Sequence, residues 1–436
     1  MTSLMREPVF WIPYKRREEG TRDMENVISA VCIRCGEEHE ALPGITTCRK
    51  CGGMLDIQYD YHYIKANVSR AIMSGRREGT MWRYREFLPV EPESSCRKLR
   101  VGGSPFYEVP HLAEQMGIAK LYIKDDGINP TASLKDRASA MAVVKAQEAG
   151  ADTIACSSTG NAASSLAGNA AAAGLKTYIF VPERAPKGKV SQLMIFGANV
   201  ISVKGSYEET FRLSAEAIDR WGWYNRNAAI NPYLMEGKKT VALEIAEQLR
   251  WKMTDYVAIS VGDGCTIAGV WKGFKDLYAA GMIDRLPRLI SVQAEGCCPL
   301  NRAIETGKAW EAMAENTLAD SIAVGVPRNA DKALNAIRES NGVVVNVSDE
   351  EILAAMRLLG TGCGVFAEPA GAAGTAGLKK AAELKLIPAD AAVVSVVTGS
   401  GLKDVANAMK AAGEPLTIEP EMNQLLEAFR KSGGPR

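Results

Sequence analysis

Histidine is scarce in this sequence. Three occur in 436 residues, at His39, His62 and His111. The stretch after position 111 therefore has no material for a Ser-His-Asp triad or a histidine-rich metal site. An excess of either charge is also missing: 52 Lys and Arg stand against 51 Asp and Glu, a formal net charge of +1. No basic field of the kind that gathers nucleic acid is present, and no nucleic-acid partner is expected. No apolar run reaches the length of about 18 residues that a membrane-spanning helix needs. The opening residues MTSLMREPVFWIPYKRREEG lack the apolar core and small-residue cleavage site of a secretory leader, so the expected address is the cytoplasm. What remains is ordinary globular composition, 47% hydrophobic and 24% charged, in a chain long enough for two or three domains.

Ten cysteines do not read as a disulfide framework in such a chain. Six of them, Cys96, Cys156, Cys265, Cys297, Cys298 and Cys363, are scattered in mostly apolar surroundings and read as core packing in a reducing compartment. The other four form two CxxCG knuckles, Cys32-Ile-Arg-Cys35-Gly36 and Cys48-Arg-Lys-Cys51-Gly52. Each knuckle turns the chain so that two thiolates converge, and the glycine that follows admits the positive φ of that turn. Four thiolates suit tetrahedral Zn²⁺ in a closed structural site on Cys32, Cys35, Cys48 and Cys51. Iron in a rubredoxin-like version, or free redox-active thiols, are the alternatives. Arg34, Arg49 and Lys50 give only a slight basic patch, so the ribbon reads as a structural or interface module.

The chain divides into residues 1–66, with the cysteine knuckles; an arginine-rich linker or arm over 67–110; a catalytic region over 111–412, with a smaller subdomain at about 150–230; and a Pro- and Glu-rich tail over 413–436, expected to fray. Within 111–412, apolar β-branched runs predict strands over 121–124, 153–157, 177–181, 200–203, 256–261, 289–293, 343–347 and 392–397. Helical stretches alternate with them over 135–149, 161–173, 208–221, 240–250 and 350–359, the last opened by the capping box Ser348–Glu351. Continuous apolar strands between helices predict α/β architecture, a mostly parallel sheet with helices on both faces.

Three strand-to-helix turns carry the chemistry. Asn129-Pro-Thr-Ala-Ser-Leu-Lys135-Asp-Arg137 places a lysine at a helix start, where the helix N-terminus and nearby Arg137 would favour the neutral amine that attacks an aldehyde. Ser157-Ser-Thr-Gly-Asn161-Ala-Ala-Ser164 offers hydroxyls and helix-start amides to an anion such as a carboxylate. Val261-Gly-Asp-Gly-Cys-Thr266-Ile-Ala-Gly269 is a small-residue turn able to wrap a phosphate; there Asp263 is expected to cap amides rather than face the anion.

NPTASLKDR resembles the PTGSFKDR motif of threonine synthases, in the tryptophan-synthase-β-like group of enzymes that use pyridoxal 5′-phosphate (PLP). Ala132 and Leu134 replace the family's Gly and Phe. The resemblance extends over about residues 100–410, and ribbon-bearing members match 32–51. It implies fold type II, two three-layer α/β/α open twisted parallel-sheet domains beside a small zinc ribbon, and a homodimer. It implies a small amino-acid substrate and PLP held on Lys135, which also serves as the catalytic base. Asn161 would bond the cofactor's phenolic oxygen. Ser158, Thr159, Gly160 and Ala162 would surround the substrate carboxylate. Gly262, Gly264, Cys265 and Thr266 would hold the cofactor phosphate. Thr398, in Thr398-Gly-Ser-Gly-Leu-Lys-Asp404, would face the pyridine nitrogen, where a hydroxyl favours elimination and replacement over transamination. Glu368-Pro-Ala-Gly-Ala-Ala373 resembles a family segment and reads as architectural.

The resemblance thins where a substrate phosphate would bind. The family's roughly Asn-Ser-Val-Asn-Pro-His/Tyr-Arg-Leu-Glu-Gly-Gln-Lys-Thr is here Ala228-Ala229-Ile230-Asn231-Pro232-Tyr233-Leu234-Met235-Glu236-Gly237-Lys238-Lys239-Thr240. A hydroxyl has become Ala229 and a cation Leu234; Lys187, Lys189 and Lys238 are the substitutes in reach. Three readings follow. One is a threonine synthase, converting O-phosphohomoserine and water to threonine and phosphate, with an atypical phosphate pocket. Another is a fold-type-II serine/threonine ammonia-lyase or cysteate-synthase-like enzyme. The last is a zinc-ribbon binding protein on a degenerate PLP fold.

Overall fold

The computed structural model describes residues 24–92, 94, 99–185, 187–228 and 230–432. Cys96, Arg97, Lys98 and Ala229 lie outside the described residues, as do residues 1–23 of the N-terminal region.

The knuckles sit on a small antiparallel sheet, order β2-β1-β3, of β1 (Val27–Cys32), β2 (Glu38–His39) and β3 (Leu55–Tyr59). Helices α1 (Tyr61–Asn67) and α2 (Arg70–Ser74) and a 3₁₀ segment, Met81–Phe87, follow. The arginine-rich stretch buries Met81, Trp82, Tyr84 and Phe87 in the same core as the ribbon's Leu55 and Ile57. The apolar residues that do this follow no helical or strand period, so the sequence showed little patterning there.

The chain then runs through β4 (Phe106–Glu108), α3 (Pro110–Met116), β5 (Lys120–Asp125) and α4 (Lys135–Glu148). Next come β6 (Thr153–Ser157), α5 (Asn161–Ala173), β7 (Lys176–Pro182), α6 (Lys187–Ile195), β8 (Asn199–Val203), α7 (Tyr207–Trp221) and β9 (Tyr224–Asn225). It returns through α8 (Tyr233–Gln248), β10 (Tyr256–Ser260), α9 (Cys265–Ala279), β11 (Arg288–Ala294) and α10 (Pro299–Thr306). It closes with α11 (Ala330–Glu339), β12 (Val343–Val347), α12 (Asp349–Cys363), α13 (Pro369–Glu383), β13 (Ala392–Val397), α14 (Val405–Ala412) and α15 (Met422–Ser432).

Two sheets result. Six strands lie in the order β12-β11-β10-β13-β5-β4, parallel except for the antiparallel edge strand β4. Four parallel strands lie in the order β8-β7-β6-β9. Each predicted strand in this region forms; the inner ones are covered on both faces, every residue of β6 and β10 being buried, whereas the edge strands β8 and β12 are partly exposed. The capping box of α12 is present, Glu351 N donating to Ser348 Oγ at 3.2 Å and Ser348 N to Glu351 Oε2 at 2.7 Å. Within the tail the chain forms the exposed helix α15, and residues 433–436 lie outside the described residues.

Helices α4 and α8 cross at Gly237, where an added Cβ would overlap the Arg137 carbonyl. A buried charge cluster clamps the crossing. Arg137 Nε donates to Asp126 Oδ2 at 2.6 Å and Nη1 to Glu244 Oε1 at 2.6 Å, while Lys124 Nζ reaches Glu244 Oε2 at 2.5 Å. The ribbon and α1 are fastened to α8, α9 and α11: Tyr59 OH donates to Glu236 at 2.6 Å, Tyr61 OH to Asp276 at 2.7 Å, and Lys332 Nζ to the Leu55 carbonyl at 2.7 Å.

Candidate active site

Parallel strands end together, and ligands bind beyond their carboxyl ends. Here the turns after β5, β6, β10 and β13 converge on one cavity, the kind of concave site in which small molecules bind. Its walls include Lys135, Asn161, Gly262, Gly264, Cys265, Thr266 and Thr398, so seven of the residues singled out in the sequence meet there. Ser158, Thr159, Gly160 and Ala162 are not among the walls; they form the half-buried turn on either side of Asn161.

Lys135 is the first residue of α4. Its loop is zipped to the turn after β13: Leu134 N donates to Thr398 O at 2.8 Å and Ser400 N to Ala132 O at 3.0 Å. Ala132, where the related motif has glycine, is held at φ +66°. Lys135 makes no hydrogen bond or ion pair among the described residues. Its amine is lowered to about 8, by burial first and then by the cations Lys238 and Arg226, with Glu368 opposing. Arg137, expected to help, does not: it lies two residues on along the helix and its guanidinium is spent on Asp126 and Glu244.

Opposite stands the N-terminus of α9. Gly264 adopts φ +85° there and supplies no side-chain cap, leaving the first amides of the helix to a ligand. An added Cβ on Gly262 would press on Ile322 and one on Gly264 on Ala333, so both glycines also serve close packing. Asp263 turns to the neighbouring loop, accepting from Arg328 N at 2.7 Å. An uncapped helix end facing an unpaired, depressed lysine amine across one cavity fits a group that carries both a phosphate and an aldehyde.

Glu368 belongs to the site more closely than its architectural reading allowed. It lines the cavity, is 4% exposed, and accepts from Asn161 Nδ2 at 2.6 Å. Its carboxyl is pushed up to about 7, by burial first and next by Asp320. No sequence signal distinguished it from a helix-opening Glu-Pro. Of the three lysines offered as phosphate ligands, Lys238 lines the cavity, Lys189 pairs with Asp320, and the side chain of Lys187 lies outside the described residues. Leu234 is buried in the core of the four-stranded sheet.

The four knuckle thiols lie within 4.8 Å of one another, with Cys32–Cys51 at 3.5 Å, Cys35–Cys51 at 3.4 Å and Cys35–Cys48 at 3.7 Å. Sulfurs about 2.3 Å from one tetrahedral centre stand about 3.8 Å apart, so the cluster fits a four-thiolate metal. The other described cysteines are free thiols, and among the described residues no helix is long and apolar enough to cross a membrane.

Residues 98–399 match the family model of pyridoxal-phosphate dependent enzymes. The chain is 42% identical to the threonine synthase of Methanocaldococcus jannaschii, over 92% of this chain and 99% of the relative. It is 40% identical to that of Methanosarcina acetivorans, over 91% and 98%. Among solved structures, threonine deaminase isoform 2 from Solanum lycopersicum superposes with a TM-score of 0.62 at 22% identity, over 73% of this chain and 89% of that one. That likeness is one of fold.

Proposed function

Because the chain belongs to the pyridoxal-phosphate dependent enzyme family and is a threonine synthase-like lyase of amino-acid metabolism, we propose that it converts O-phosphohomoserine and water to threonine and phosphate. The observation that carries the reading is the meeting of Lys135, Asn161, Thr398 and the uncapped α9 N-terminus around one cavity.

In this reading Lys135 carries the cofactor, Gly262, Gly264, Cys265 and Thr266 hold its phosphate, and Thr398 meets its ring nitrogen. Bound there, the cofactor supplies an electron sink for charge developing at the substrate's Cα. Lys135 Nζ takes the Cα proton and returns one later, a role suited by an amine poised at about 8. Ser158, Thr159, Gly160 and Ala162 orient the substrate carboxylate at the start of α5. Asn161 holds the cofactor's edge from one side while Glu368 accepts its amide from the other.

The cysteine cluster is read as a structural Zn²⁺ site, supported by its sulfur spacing. The reading divides the chain into the ribbon and N-terminal extension 1–66, the arm 67–110, the catalytic region 111–412 and the tail 413–436. It makes the enzyme cytoplasmic, which its buried free thiols at Cys156, Cys265, Cys297 and Cys298 favour. It also makes it a homodimer, which the exposed apolar side chains Phe366, Leu402, Val405 and Met409 favour.

The test is phosphate release from O-phosphohomoserine set against keto-acid release from serine and threonine. Phosphate release, lost in Lys135→Ala, is expected; keto-acid release with no phosphate at any substrate concentration would overturn the reaction.

A further inference from the structure

A buried charge with no counter-charge is expensive, and a protein keeps one where an anion arrives. Two such cations stand beside Lys135. Arg226, 2% exposed, follows β9 and has no ion pair among the described residues. Its Nε and Nη2 both donate to a single hydroxyl, Ser139 Oγ, at 3.1 and 3.0 Å. Ser139 lies four residues beyond Lys135 on α4, so the guanidinium sits one turn along the face that the lysine occupies. The neighbouring acid, Asp136, is already taken by Thr131 and Asn169.

Lys238, 4% exposed, lines the cavity from α8 and likewise has no hydrogen bond or ion pair among the described residues. It stands where the related segment has glutamine. The surroundings repeat the shortage of acceptors. Asn227, 1% exposed, accepts from Ser157 N at 2.8 Å through Oδ1, leaving Nδ2 enclosed without a partner. The Ser157 hydroxyl is enclosed and unpartnered as well. Arg226, Asn227 and Ser157 cluster at the carboxyl ends of β6 and β9, behind the turn that leads to Asn161, whereas Lys238 reaches the cavity from α8, against Gly269 of α9, the helix that the proposed cofactor-phosphate turn opens.

We propose that Arg226 and Lys238 form the subsite for the phosphoryl group of a phosphorylated amino-acid substrate. The subsite takes over the task of the arginine that is Leu234 here and of the hydroxyl that is Ala229. Arg226 offers a fork to two phosphoryl oxygens and Lys238 a point charge. The proposal rests on the threonine synthase-like reading of the same cavity. A phosphate dianion could equally come with the cofactor, and the experiment separates the two sources.

Holoenzyme is prepared as wild type, Arg226→Gln, Arg226→Lys and Lys238→Gln. Three quantities are measured: KM for O-phosphohomoserine, calorimetric affinity for inorganic phosphate, and the cofactor dissociation constant. Arg226→Gln and Lys238→Gln are expected to raise KM and weaken inorganic phosphate binding by about 10- to 100-fold each, the scale of one lost charge-assisted contact. Cofactor affinity is expected to stay at the wild-type value. Arg226→Lys, which keeps the charge and guards against a misfolded Gln variant, is expected to fall between. Unchanged KM and phosphate affinity in the Gln variants would overturn the proposal, and so would a loss of cofactor affinity that accounts for the whole effect. Phosphate calorimetry needs no turnover. If wild type releases no phosphate from substrate, the reaction fails while the anion subsite is still judged by its own binding data.

Discussion

Glu368 should make the stability of the cofactor-free protein fall with pH, and Glu368→Gln should abolish that fall. The carboxyl is raised from the ordinary 4.5 to about 7, burial being the main cause. The folded protein therefore keeps a proton that the unfolded chain releases at about 4.5. Stability is lost as pH rises from about 4.5 through about 7 and is level above that. Glutamine has no such titration, and its Oε1 still accepts from Asn161. At 1.36 kcal/mol per pKa unit the full penalty is about 3 kcal/mol. Only about 1 kcal/mol of it is present at pH 5, so the variant should gain about 2.5 kcal/mol on wild type between pH 5 and pH 8. For 436 residues, an unfolding entropy of about 2.1 cal/mol/K per residue turns that into about 3 °C. Thermal midpoints of both proteins at the two pH values measure it. A gap that does not widen, or a variant less stable than wild type at pH 8, would refute the account of Glu368 as an enclosed acid titrating near neutrality.

Four further outcomes are expected. Gly237→Ala should force α4 and α8 apart where they touch, lowering the urea midpoint by an amount equivalent to about 3 kcal/mol or more; an unchanged midpoint would mean the crossing is looser than described. Ala132→Gly should stabilise by about 0.5–1 kcal/mol, relief of the left-handed backbone outweighing the extra chain entropy, read as a higher midpoint at unaltered m-value. Tyr59→Phe should cost about 1–3 kcal/mol by taking a donor from buried Glu236, and chelation of the ribbon metal should lower the melting temperature further; equal midpoints with and without chelator would argue against a structural metal.

The parallel strands were legible because burial on both faces writes them as unbroken apolar runs, as in TIACS and YVAIS. The edge strand β4 and the two-residue β9 were not, being too short to show a period. Lys135, Asn161, Thr398 and the 262–266 turn could be found because each lies where a strand gives way to a helix through small or polar residues. Arg137 misled for a geometric reason: two residues along a helix is about 200° around it, so a neighbour in sequence points the other way. Arg226 and Glu368 escaped because their significance lies in which partners they lack or meet across the fold, and pairing between distant segments leaves no local trace. The ribbon's hold on α8 and α9 was hidden likewise, although its cysteines were plain.

Helix α4 has two allegiances. Ala138, Ala142, Val143 and Ala146 pack into the core of the four-stranded sheet, while Met141 and Val144 pack into the larger core shared with the ribbon. The lysine at its tip is thus aimed only when both halves have finished folding. Cofactor uptake becomes a checkpoint on assembly: damage deep in either half, far from any ligand, should surface first as a pale enzyme.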